Sequence, residues 1–595
     1  MNETPKTKSG WRILRRLLIT SAILATLMAI FYAEEDWRGK LAWENCKREL
    51  EAKGAVLDWD KCIPPPVPDD QNFFAYSTNI ALKFVKPQTD EQRTAAARLP
   101  WLNLAITSSN CFPLTEFSKT NKVVAELMAI SAFQGPSNFT VIKLGDAGAG
   151  EKIRQAIVAA LWRSVNGSQG FTFSERMVEH LAPAKIFLQG NTPELRDLGN
   201  LIPGNLVTNF GRLTVSTTTN PSVFQVKLVD GKIASTEDYL KWSEQFVPAF
   251  DDVRAALKRP CAIIPGDYSV SWRMPIPNFV LMRNLAQTLA QRTQCYLLLG
   301  QPDRALHELT LIHDVCRILE KPPTGQPETL VEAMINVAIA GLYVNTVQDG
   351  LRLHAWQEPQ LAAIQKQLQE TCLLPFVNGA FRMEQVFIVN IGEKLNASKI
   401  FTGDAFGVDR KKVWYERLWS HRYDAIPNGW MYQNIKYAVA LEQPLIDCFD
   451  PANAEVYPQK LDEAISRLDK SLEHWSLFQY LAAIAIPNFT KAFKTCAFNQ
   501  TLANQAQIVC ALERYKLANG HYPETLAALV PQFIEKLPHD IIGGQPLPYR
   551  RTDDGKFLLY SVGWNETDDG GVTVRDKSGY EDKTKGDWVW QYPAK

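Results

Sequence analysis

The run Leu17 to Ala33, LLITSAILATLMAIFYA, contains no charged side chain, and no other feature constrains what this chain can be so tightly. As a helix it is about 26 Å long at 1.5 Å per residue, near the lower limit for crossing a hydrocarbon core. Lys6, Lys8, Arg12, Arg15 and Arg16 lie before it, and Glu34, Glu35 and Asp36 follow it directly. A basic flank is retained on the cytoplasmic side. The run is therefore expected to be a single-pass anchor with its N-terminus cytoplasmic and nearly all of the chain beyond the membrane. A cleaved signal peptide shares the same basic and apolar parts, but the nearest small-x-small candidates are Phe31 and Ala33, and phenylalanine fits the outer position poorly. The first cysteine, Cys46, stands well past the apolar run, which disfavours a lipoprotein.

The remaining sequence bounds class more than chemistry. A length of 595 residues suggests two to four domains, and a hydrophobic content of 46% is ample for real cores. Sixty-four basic residues balance 64 acidic ones, so nothing directs the chain to nucleic acid. Ten cysteines occur without a CxxC pair, which removes the usual zinc and thioredoxin-like signatures. Cys46 and Cys62 flank a short helix and turn and are placed to staple the membrane-proximal segment in an oxidising compartment. Cys496 and Cys510 fall on one helix about 21 Å apart and cannot pair with each other.

Periodicity divides the chain into a basic tail (1–16), the anchor (17–33), a membrane-proximal helix with a Pro-rich spacer (34–98), a small mixed α/β or α+β domain (99–246), a helical domain (247–480) and a C-terminal α+β module (481–595). The helix from Asp36 to Lys53 ends at Gly54, and Pro64-Pro65-Pro66 favours an extended spacer that sets the body off from the membrane. In the mixed domain, FTVIKLG, LTVSTTTN and VFQVKLVDGKI alternate like strands. Helical spacing follows at Leu281 to Leu299, Ala305 to Leu319, Thr329 to Leu353, Pro359 to Cys372 and Val377 to Leu395, with Gly300 and Pro302 making the first two a hairpin. The LLGQPDRAL segment resembles the turn of a tetratricopeptide repeat, but no second copy follows at the roughly 34-residue period of that family. The fold class expected is mainly α, a helical bundle or irregular solenoid carrying a small mixed domain and a small C-terminal sheet.

Catalytic spellings fail on inspection. Gly145, Gly148 and Gly150 lie between a strand and a helix, as a phosphate loop requires, but Glu151 and Ile153 stand where lysine and a hydroxyl residue belong. His307-Glu308 and His313 echo a zinc helix, yet the histidines are six apart, about 240° around a helix, and cannot share one ion. Trp414, Tyr415, Trp419, His421, Tyr423, Trp430 and Tyr432 form an aromatic cluster suited to packing between helices or to lining a groove. No catalytic residue is assigned.

The most specific stretch starts at Leu481: LAAIAIPNFTKAFKTCAFNQTLANQAQIVCALERYKLANGHYPETLAALV. With Leu537-Pro538-His539-Asp540, Gly544 to Tyr549, Leu559 to Gly563 and Asp568 to Gly571, it resembles type IV pilins and the major pseudopilins of type II secretion systems over about 90 residues. Physical reading agrees: Gly520 is a helix C-cap, Pro523 blocks continuation, and Asp553-Asp554-Gly555 turns two strands, Pro548 to Arg551 and Phe557 to Val562. Pilins carry this helix at the extreme N-terminus behind a peptidase site, whereas here Arg15 occupies the place of the required glutamate after Gly10, so pilin-like processing is not expected. The resemblance also implies calcium in the last loop, held by Ser561, Asn565, Asp568 and Asp569. Asn565 stands where that family has aspartate, which leaves a metal-free acidic loop as the other reading.

Taken whole, the chain resembles large anchored proteins of planctomycete and verrucomicrobial type through PPPVPDDQNF (Pro64 to Phe73), IPNGWMYQN (Ile426 to Asn434), LERYKLANGHYPETL and GDWVWQYP (Gly586 to Pro593). That resemblance implies no activity. The expectation is a non-enzymatic, inner-membrane scaffold or interaction protein with its body in the periplasm and a protein partner in the envelope. An extracytoplasmic hydrolase or glycan-binding enzyme with an unrecognised site is the alternative.

Overall fold

Helix α1 (Lys8–Ala52) runs unbroken from the basic tail through the apolar run and 19 residues beyond it, about 68 Å in all. This computed structural model describes residues 8–87, 89–99, 102, 204–208, 211–217, 224–229, 240–241, 243–320, 329–395, 426–473, 478–479, 482, 489–575 and 581–590. The FTVIKLG strand, the glycines at 145 to 150 and the aromatic residues from 414 to 423 lie outside them. Among the described residues three helical stretches are long and apolar enough to cross a membrane, but 67% of the apolar 18-residue window in each of the two later ones is buried inside the protein, against 0% for the one in α1. Packing uses the apolar sides of the later two. The N-terminal one keeps Leu17, Leu18, Ile23, Leu24, Leu27 and Ile30 exposed, as a lipid-facing helix does.

Short helices α2 (Thr78–Phe84) and α3 (Asp90–Arg98) follow, then an antiparallel three-stranded meander of β1 (Gly204–Thr208), β2 (Gly211–Thr217) and β3 (Phe224–Val229). The last two are the strands read from alternation. Next come α4 (Val247–Ala256), α5 (Phe279–Leu298), α6 (Pro302–Glu320), α7 (Leu330–Arg352), α8 (Glu358–Glu370), α9 (Leu373–Lys394) and α10 (Asn428–Ile446). The hairpin of α5 and α6 forms as its sequence predicts. The helix stops at Gly54, Gly300 and Gly520 also hold, each glycine taking a positive φ of 91°, 66° and 79°. Starts are set by side chains: Asn278 accepts from Leu281 N–H, and Thr329 from Glu332 N–H.

After a two-residue strand pair, β4 (Phe449–Asp450) and β5 (Glu455–Val456), comes α11 (Pro458–Leu472) and then the long α12 (Phe489–Asn519). Helix α12 is apolar around most of its circumference, with Ala492, Phe493, Cys496, Ala497, Ile508, Val509 and Leu512 all buried. A helix of that kind belongs in a core. It packs on α7, α8 and α9, and Phe493 stacks on Phe381 of α9 with ring centroids 3.9 Å apart. The C-terminal sheet has the order β10-β7-β6, from β6 (Tyr549–Arg551), β7 (Phe557–Ser561) and β10 (Trp588–Val589), with β8 (Thr573–Arg575) and β9 (Glu581–Gly586) as a separate antiparallel pair. Gln505 of α12 donates to the Trp588 carbonyl at 2.7 Å and fixes helix to sheet. One connected apolar cluster extends from Trp43 to Trp590. The long helix is thus a central member of the body and not a projecting head.

Two expectations need correction. Cys46 and Cys62 are both free, as are the other described cysteines. Cys46 packs against the main core, whereas Cys62 donates to the Asp58 carbonyl and joins a separate cluster with Trp59 and Met274. Nor do the prolines set the body off from the membrane. Just past them, Asn72 is buried and bonds both ways with Ile263, Phe73 N–H donates to the Cys261 carbonyl at 2.7 Å, and Arg259 donates to the carbonyls of Asp69 and Asn72. The segment is stitched to the body because its polar backbone finds partners there.

Candidate functional site

The acidic residues after the apolar run join α1 to the body. Helix α10 begins at Pro427, which supplies no capping hydrogen bond of its own. Asp36 of α1 takes that role, its Oδ1 accepting from Gly429 N–H at 2.7 Å, and Glu35 Oε2 accepts from Trp430 Nε1 at 2.9 Å. A carboxylate at a helix N-terminus satisfies an orphan N–H and faces the positive end of the helix dipole. The two backbones touch here. A Cβ on Gly39 would lie 2.1 Å from the Gly429 oxygen, and one on Gly429 would lie 1.9 Å from the Glu35 oxygen, so both positions must be glycine. One helical turn further on, Glu393 of α9 accepts from Trp43 Nε1 at 2.9 Å and pairs with Lys47 at 3.3 Å. The body therefore contacts α1 at Glu35, only two residues past Ala33.

This junction absorbs part of the aromatic cluster. Trp430 packs edge-on against Phe478, with centroids 5.1 Å apart, and Tyr432 packs on the main core. Those two members serve helix packing. His307 is exposed on α6, while Glu308 is buried between Arg292 at 2.8 Å and Arg254 at 2.9 Å. The pseudo-zinc motif is a structural ion-pair network joining α4, α5 and α6.

In the C-terminal loop one of the four calcium candidates is buried and three are exposed. Ser561 is fully buried, donates to Asp540 Oδ1 at 2.8 Å and accepts from Gly563 N–H. Asn565 donates to Asp569 Oδ2 at 2.9 Å, and Asp568 accepts from Tyr560 OH and Gly570 N–H. Asn565, Asp568 and Asp569 are exposed, and each is bonded within the loop. Two aspartates to which sequence reading assigns no role organise the loop. Asp540 accepts from Ile542 N–H, Val562 N–H and Ser561, and burial pushes its carboxyl up to about 6. Asp587, also buried, accepts from Asp569 and Gly571 N–H.

The helical body holds one more arrangement with chemical potential. A cavity of about 140 Å³ lies between α6, α7 and the link from α8 to α9, lined by His313, Glu320, Asn336, Tyr343, Glu370 and Leu373 among others. Asn336 Nδ2 donates to Glu320 Oε1 at 3.2 Å, and His313 Nε2 sits 3.9 Å from Glu370. Burial raises the Glu320 carboxyl above its usual range, against the opposing pull of Asn336, His313 and Arg317. The lining residues are spread from 313 to 373, so no local motif announces them.

No protein-family model, no curated protein and no solved structure matches the chain. The pseudopilin resemblance therefore rests on its own residues. A helix on an antiparallel sheet is present at the C-terminus, and among the described residues no group of three or more His, Cys, Asp or Glu side chains is gathered so as to hold a metal.

Proposed function

We propose that this chain is a membrane-anchored scaffold or interaction protein of the bacterial cell envelope, single-pass, with its N-terminus cytoplasmic and its body on the far side of the inner membrane. The observation that carries the reading is the junction: a helix long and apolar enough to span a bilayer continues into the body, and Glu35, Asp36, Gly39 and Glu393 lock the body against it. A catalytic domain needs only a tether. A body fixed to its membrane helix through backbone contact holds its surfaces at a set height and angle, which is what an assembly component requires. The pseudopilin-like residues favour a secretion-related assembly, with the long helix as internal support.

The enzyme reading has a specific observation in the cavity beside Glu320 and Glu370. At about 140 Å³ it is well below the roughly 300 Å³ at which pockets for drug-sized ligands begin, and a sugar chain does not fit. Cross-linking in living cells, followed by purification from native membranes, tests the proposal. A discrete protein adduct is expected, and it should be lost when exposed body residues are mutated. A chain that emerges with no protein partner under conditions that cross-link other envelope complexes would contradict it.

A further inference from the structure

Among the described residues only two tryptophans are exposed, Trp11 at 69% and Trp37 at 68%, and both lie on α1. The apolar run lies between them, and the step from position 11 to position 37 is about 39 Å along a helix. A bilayer measures about 40–45 Å across when both headgroup layers are included. An indole ring, apolar in its body and polar at its N–H, collects in those layers. The two tryptophans are therefore spaced to meet both faces of one bilayer.

Beyond Ala33 the helix has two unlike sides. Glu35, Asp36, Gly39 and Trp43 meet the body. Trp37 and Leu41 point the other way and are exposed, within about 40° around the helix of the exposed Ile23 and Ile30 in the apolar run. From this continuity and from the spacing to Trp11, we infer that Trp37 carries the lipid-facing side of α1 into the headgroup layer next to the body, so that the body rests on the bilayer surface. The inference builds on the anchored reading and gives it a depth. Trp37 lies about 6 Å past Ala33, within a layer roughly 5–7 Å thick. Leu41 comes to its outer margin, because helical side chains tilt toward the N-terminus, here toward the membrane. The acidic residues at the same height do not oppose the placement. Glu35 accepts from Arg38 and Trp430, and Asp36 caps α10, so both carboxylates meet donors that water would otherwise supply. The first turn of α10, bonded to Asp36, is thereby level with the headgroups.

Photo-cross-linking of the full chain in native membranes tests this. The photoreactive residue p-benzoylphenylalanine is placed in turn at Ile23, Trp37 and Arg48, three exposed positions on the same side of α1 that make little demand on folding. Arg48 lies about 22 Å past Ala33, clear of the headgroups. Mass spectrometry is expected to find lipid adducts at positions 23 and 37 and none at 48. A lipid adduct at 23 with none at 37, or a protein adduct at 37 in place of lipid, would overturn the inference while leaving the anchor standing. Lipid captured at 48 as readily as at 37 would also overturn it, since α1 would then lie along the surface. Absence of lipid at 23 would remove the anchored reading and the inference together.

Discussion

Among single residues, Glu442 of α10 is sensitive to pH because water does not reach it. It is fully buried, neither carboxyl oxygen has a hydrogen-bond partner, and desolvation followed by the nearby charge of Glu384 raises its pKa well above the ordinary 4.5. Burial also raises Glu384, whose Oε1 accepts from Leu330 N–H at 2.8 Å. The sign follows from linkage: a carboxyl that holds its proton more tightly folded than unfolded contributes fully below its unfolded value, and that contribution is lost as pH rises through the folded one. Stability of the chain is thus expected to decline with rising pH above about 4.5. Glu442→Gln removes this titration, so its advantage over wild type should grow by up to about 1.4 kcal/mol per pH unit between the unfolded value and the raised folded one, and level off above it. Thermal midpoints of both proteins across pH 5 to 8 check it, and parallel curves would refute it. Asp540 shows the opposite solution, a buried aspartate kept in place by two backbone N–H groups and a serine hydroxyl.

For elements, the decisive contact is the crossing of α1 and α10. Gly429→Ala places a methyl group where the Glu35 carbonyl already sits, and neither backbone can move without breaking the Asp36 cap. Overpacking of this kind costs about 3 kcal/mol. The variant should unfold at a lower temperature in detergent, whereas alanine at Gly54, which has open space around it, should cost less and only through its positive φ. Helices such as α5 and α6 were legible because their apolar residues repeat at helical spacing and Gly300 interrupts them. The crossing was not. Glu35 and Asp36 read as the acidic side of a charge asymmetry, and Gly429 as part of the resembling stretch IPNGWMYQN, since nothing local says that residues some 390 positions apart will meet. The Cys46 to Cys62 staple failed for the same reason: spacing along the chain is silent about which core each thiol joins.

At the scale of the molecule, the sequence divides by periodicity while the core unites by packing. The segment from Leu481 onward looks like a separate head because its motifs resemble a free-standing family. Yet α12 is apolar on too many sides to stand outside a body, and α7, α8 and α9 enclose it. The alternation in LTVSTTTN and VFQVKLV was enough to give β2 and β3, and the loop order after Gly520 gave the C-terminal sheet. The cavity was illegible because its lining comes from four separate helices and the link between two of them. What results is a body seated on the continuation of a helix long and apolar enough to span a membrane, with contacts only two residues past the apolar run. Zero-length carbodiimide coupling in native membranes measures that seating, because it joins an amine to a carboxylate only where they touch. Lys47 and Glu393, 3.3 Å apart across α1 and α9, should form an isopeptide visible by mass spectrometry, as should Lys494 and Asp462, 3.1 Å apart within the body. Recovery of the Lys494–Asp462 link without the Lys47–Glu393 link would contradict a body docked on its anchor.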